Sequence, residues 1–220
     1  FAATAWISLK TIFLLYLFSH NIGGLVENIY GWVRLTEMGE ITHVMGGFFR
    51  IFFQSHIFVL IGFFIISLYA AFYFITRQNY HRQDNDKSFL ILFAWLILSL
   101  TAILISFSRS FWLGLAGGII LLWLFWLIKM KLPFKKIIIM NGYLVLTAII
   151  AFGVIIAAAK FPYPKPTSGF NTADLLSERA LSISGEAGAS SRWALLPQLW
   201  SKITVSPILG QGFGSTVTYK

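Results

Sequence analysis

Widely spaced basic residues with nothing charged between them set the limits on this chain. No formal charge lies between Arg50 and Arg77, Lys87 and Arg109, Arg109 and Lys129, or Lys136 and Lys160. Inside these gaps run apolar stretches over residues 57–75, 89–107, 110–128 and 137–159. About 20 apolar residues in a helix cross the hydrocarbon core of a bilayer, so each stretch predicts a transmembrane helix. A fifth stretch, 7–18, is interrupted by Lys10 and predicts a partial span or an interfacial helix. The chain is 57% hydrophobic and only 11% charged, where soluble domains carry about 25% charged residues. A soluble enzyme and a disordered tail are therefore excluded. The excess of 17 Lys and Arg over 8 Asp and Glu sits mainly between the spans, as basic membrane loops do, and does not read as a nucleic-acid surface. With no cysteine, disulfides, thiol catalysis and Cys-ligated metals are excluded.

Loop charge predicts orientation. Arg77, Arg82 and Lys87 lie in the loop 76–88, and Lys129, Lys131, Lys135 and Lys136 in the loop 129–136. Two spans separate these loops, so they share a side, and excess Lys and Arg marks that side as cytoplasmic. The outer side then receives 19–56, the short turn 106–110 and everything after 160. Phe161-Pro162-Tyr163-Pro164-Lys165-Pro166 cannot continue a helix. Beyond it, short helices are expected over 172–182 and 191–203. The second places Trp193, Leu196, Trp200 and Ile203 on one apolar face, with a kink at Pro197, and a glycine-rich turn follows over 207–214. The reading is an all-α polytopic transmembrane helix bundle with an extracytoplasmic helical loop domain. Residues 1–56 hold the partial span and outer loop, 57–159 the four spans, and 160–220 the outer domain. The chain starts at Phe1 and stops soon after the glycine turn, and reads as an internal piece of a longer protein.

Polar residues where apolar ones would be cheaper mark the candidate site. Arg109, in Phe107-Ser108-Arg109-Ser110, lies at the outer end of two consecutive spans. It reads either as a snorkelling anchor or as an anion ligand. In the second case Ser108 or Ser110 caps the next helix, and the amides of its first turn join the guanidinium. Arg50 is embedded among Phe48, Phe49, Phe52 and Phe53, as a cation–π anchor or as a charge at a lipid-facing pocket. Arg179 and Arg192 belong to the external helices, where a solvated face is the plain alternative to ligand binding. Glu27, Glu37 and Glu40 cluster in the first outer loop, either solvent-facing or bound to sugar hydroxyls. His20, His43, His56 and His81 show neither metal-ligand nor triad spacing, so no metal and no cofactor is expected. No carboxylate lies inside a span, which argues against a proton-relay transporter.

The run Ser106-Phe107-Ser108-Arg109-Ser110-Phe111-Trp112-Leu113-Gly114 is similar to the Ser-Arg-(Ser/Gly)-x-(Trp/Leu)-x-Gly signature of the O-antigen ligase family. That family includes O-antigen polymerases and related bacterial polysaccharide enzymes. Glu178-Arg179, then Ser191-Arg192-Trp193 and Trp200, then Pro207-Ile208-Leu209-Gly210-Gln211-Gly212-Phe213-Gly214 resemble its large external loop. The resemblance runs from Arg50 to the end of the chain. It implies a metal-independent membrane glycosyltransferase whose donor is a glycan on undecaprenyl diphosphate, at the outer side of the bacterial cytoplasmic membrane. The acceptor is a glycan, a lipid or a protein. By the same resemblance Arg50 and Arg109 face the diphosphate as catalytic cations, and Arg179, Arg192, Ser108 and Ser110 bind substrate. The family's catalytic histidine lies downstream of the glycine turn and has no counterpart before residue 220, which implies that this stretch alone is inactive. The alternative from a different class is a transporter or flippase of a polyprenyl-linked or other anionic lipid. It would show broken helices and polar residues near the bilayer midplane.

Overall fold

The apolar stretches between the charges fold as continuous helices, and small polar residues decide how those helices meet. The computed structural model describes residues 1–44, 48–79, 86–166 and 187–206, in two units, Phe1–Gly169 and Phe170–Lys220. The first unit runs α1 (Ala2–Ser19), α2 (Gly23–Thr36), β1 (Gly39–His43), β2 (Phe49–Phe53), α3 (His56–Asn79), α4 (Asp86–Ile105), α5 (Arg109–Ile128) and α6 (Phe134–Ala159). Five of its helices, α1, α3, α4, α5 and α6, are long and apolar enough to cross a membrane. Apart from the hairpin β1–β2, the unit is a helical membrane bundle.

The stretch expected as a partial span lies in α1, a helix long and apolar enough to cross a membrane. Lys10 does not interrupt α1, because its ammonium sits 4.2 Å from the centroid of the Phe53 ring, a cation–π contact that eases burial of the charge. Thr4, Ser8 and Thr11 form a buried stripe on α1, and such small side chains let helix backbones approach closely. A Cβ on Gly62 of α3 would stand 2.7 Å from the Thr4 hydroxyl oxygen, so that crossing requires the glycine. The hydroxyls of Ser67, Ser99, Thr101 and Thr147 donate to the carbonyls of Phe63, Trp95, Ile97 and Tyr143, four residues back in their own helices. Each buried hydroxyl is thus satisfied without a partner from another helix. Val59, Phe63 and Ile66 of α3, Leu96, Leu100 and Ile103 of α4, and Ala151 of α6 fill the core between these helices.

The unit is mostly helical, as expected, with one addition. The stretch 19–56 is not a plain outer loop: it contains α2 and an antiparallel hairpin, β1–β2, in register Thr42 to Arg50 and Glu40 to Phe52. Phe48, Ile51 and Phe53 are buried. Phe18 of α1 lies 5.4 Å from Phe49, and Phe111 of α5 lies 5.6 Å from Phe52, centroid to centroid. The hairpin therefore wedges between α1 and the α4–α5 turn, and aromatic burial holds it there.

In the second unit, α7 (Ala187–Val205) runs through Pro197 as one helix, so the proline does not split it. Leu196, Trp200 and Ile203 of α7 are exposed. The expected helix over 172–182 and the glycine turn over 207–214 lie outside the described residues.

Candidate functional site

The turn between α4 and α5 is tight because Phe107 adopts a left-handed backbone, with φ of 44°. A bulky residue pays about 1–3 kcal/mol for that conformation. Ring contacts hold it in place: Phe48 at 5.0 Å and Trp112 at 5.6 Å between centroids. Ser108 follows as the N-cap of α5 in an extended conformation, but its side chain makes no capping bond. Its hydroxyl pairs instead with that of Ser110, at 2.9 Å. The first-turn amides of a 20-residue helix and its positive dipole end are thus left without a side-chain cap, and Arg109 is the first residue of that helix.

Arg50 reaches this turn from β2. Its Nε donates to the Ser106 carbonyl at 3.0 Å, and its guanidinium carbon lies 5.8 Å from the centroid of the Phe52 ring. Strand alternation sends Arg50 and Phe52 toward α4 and α5, while Phe49 and Phe53 face α1. The structure therefore brings Arg50, Ser108, Arg109 and Ser110 to one end of the bundle. Arg50 is not the uncompensated cation that its apolar sequence context suggests. Glu40, diagonal to it across the hairpin, sits 3.4 Å away on a half-exposed carboxylate. A solvated pair of this kind is worth about 0–1 kcal/mol, so it orients Arg50 without strongly competing for it. Arg192 falls in α7, with its side chain outside the described residues, and Arg179 lies outside them altogether. Trp112, one turn beyond Arg109, is a donor that sequence reasoning missed. Its indole N–H is shielded from solvent and has no acceptor among the described residues.

His56 belongs to a different site and a different role. The Thr11 hydroxyl donates to the Ile7 carbonyl at 2.8 Å, so its contact of 3.1 Å with His56 Nε2 makes that nitrogen the donor. Nδ1 then accepts the Phe53 amide at 2.8 Å. His56 is fully buried and pins the start of α3 to the middle of α1, which is a structural role. Among the described residues no cluster of metal-ligating side chains occurs. No family model matches the chain, and neither does any curated protein or solved structure.

Proposed function

We propose that the chain is the core of a membrane glycosyltransferase that takes a glycan from a polyprenyl-diphosphate donor, in the manner of O-antigen ligases and polymerases. The observation that carries this reading is the hydrogen bond from Arg50 to the Ser106 carbonyl, which draws one cation to the turn where another opens α5. A diphosphate leaving group gains negative charge as the glycosidic bond breaks. Two guanidiniums, uncapped helix amides and one hydroxyl of the Ser108–Ser110 pair supply donors for that charge without a metal. The polyprenyl chain stays in the bilayer beside the bundle. Under this reading the protein lies in a bacterial cytoplasmic membrane with the Arg109 end outward.

Full-length protein in liposomes, given the lipid-linked glycan and an acceptor, tests this. Arg109→Lys keeps the charge but loses the bidentate fork, and transfer should fall by about 10²-fold. Near-normal transfer by that variant would refute the assignment. A second reading, flipping of a polyprenyl-linked lipid, draws on Lys10, Thr11 and His56. Lys10 and Thr11 lie midway along α1, and His56 meets Thr11 from the start of α3. Loss of lipid translocation in Lys10→Met, with no transferase activity in the parent protein, would favour it.

A further inference from the structure

At the opposite end of the bundle a cavity opens among α3, α4, α5 and α6. Ser67, Ala71, Phe93, Trp126, Met140 and Tyr143 are among its lining. Its enclosed part is only about 40 Å³, and it widens to about 480 Å³ once the open mouth is counted. The aromatic residues of its rim, Phe89, Phe93 and Tyr143, are partly exposed and come from α4 and α6, so the mouth lies on that seam. Phe89 and Phe93 lie 5.4 and 6.5 Å from Tyr143, giving an aromatic frame suited to a hydrocarbon chain.

Trp126 makes this more than an apolar gap. It is 1% exposed, and its indole N–H has no acceptor among the described residues. One turn earlier, Trp123 is satisfied by the Asn141 side-chain oxygen at 2.9 Å. A buried donor left unmade is costly, so the cavity calls for an occupant that is apolar over most of its length and carries one acceptor. Directly beyond α5 come Lys129, Lys131, Lys135 and Lys136. Lys129 lies three positions after Trp126, about 4.5 Å along a helix axis. The headgroup layer of a bilayer is about 5–8 Å thick on each side, so the spacing suits a lipid ester below its phosphate.

We propose that this cavity binds an anionic phospholipid. One acyl chain enters between α4 and α6, an ester carbonyl accepts the Trp126 N–H, and the phosphate rests against the lysine loop. Basic patches beside transmembrane helices hold anionic headgroups in this way. The site is independent of the glycosyltransferase reading.

Native mass spectrometry of the full-length protein, titrated with phosphatidylglycerol or phosphatidylcholine, is the test. Phosphatidylglycerol should bind about tenfold more tightly, and inorganic phosphate should not displace it, which distinguishes a lipid from a free anion. Trp126→Phe keeps the ring and removes the donor. It should weaken both lipids about threefold to tenfold, the range of a single hydrogen bond. Replacing the four lysines by glutamine should erase the preference for phosphatidylglycerol, and Ala71→Leu should fill the cavity and abolish both. Equal binding of the two lipids by the parent protein, displacement by inorganic phosphate, or unchanged binding in Trp126→Phe would overturn the proposal. Trp126→Phe preserves packing, so the test stands even if Ala71→Leu misfolds.

Discussion

The spans Ser88–Ile105 of α4 and Arg109–Ile128 of α5 are both apolar throughout, yet 44% of the first is buried inside the protein and 17% of the second. Hydrophobicity takes both helices out of water, but lipid is as apolar as leucine and does not press helices together. Hydroxyl-bearing residues of α4 lie on its buried faces. Ser99, Thr101 and Ala102 are fully buried, and the hydroxyls of the first two bond back within α4. Helix α5 presents Leu113, Leu121, Leu124 and Leu127 outward, side chains that the bilayer solvates as well as a protein neighbour would. Its close approach to α3 is at Gly118, where an added Cβ would collide with the Phe64 ring.

Three experiments break or sharpen this comparison. Ile103 of α4 is fully buried, so Ile103→Ala should cost about 2–5 kcal/mol. Leu121→Ala on α5 should change stability by less than about 0.5 kcal/mol. Reversible unfolding in mixed SDS micelles reads both, and equal costs would erase the distinction between the helices. Next in size is Gly118→Leu, which should destabilise by about 1–3 kcal/mol through overpacking. Crosslinking between cysteines placed in α3 and α5 should weaken with it, and an unchanged yield would show that the Gly118 contact does not hold α5. The smallest effect belongs to Asn141→Leu, which removes the bond from Trp123 at about 0.6 kcal/mol, the average for such bonds in membrane helices. A loss several times larger would mean that one hydrogen bond, and not lipid, keeps α5 beside α6.

The spans were legible because the cost of placing charge in hydrocarbon spaces Arg50, Arg77, Lys87, Arg109, Lys129, Lys136 and Lys160 around them. Lys10 misled because its compensation comes from Phe53, 43 residues away, which a local window cannot register. The hairpin had a signal that went unused. Gly46-Gly47 between Glu40-Ile41-Thr42-His43 and Phe49-Arg50-Ile51-Phe52-Phe53 is a turn dipeptide between two strand-like runs. Its dense aromatics resemble the start of a span, which hid the alternation. At the candidate site, Arg109 with its serines was visible as a cation at a helix start. Contact of Arg50 with the Ser106 carbonyl and with Glu40 was not, since both depend on the hairpin register.

The hairpin has a consequence for how the protein is made. A helix enters a bilayer with its backbone bonds already closed, but a strand does not, and the unpaired groups of its edge cannot be left in hydrocarbon. The wall that shelters β2 includes Phe107 and Phe111, which leave the ribosome about 60 residues after it. At 5–20 residues per second that is a delay of roughly 3–12 s. Throughout that interval only the face of the strand that meets α1 can be covered. The side of the hairpin that meets Phe107 and Phe111 is therefore completed only after α4 and α5 are delivered.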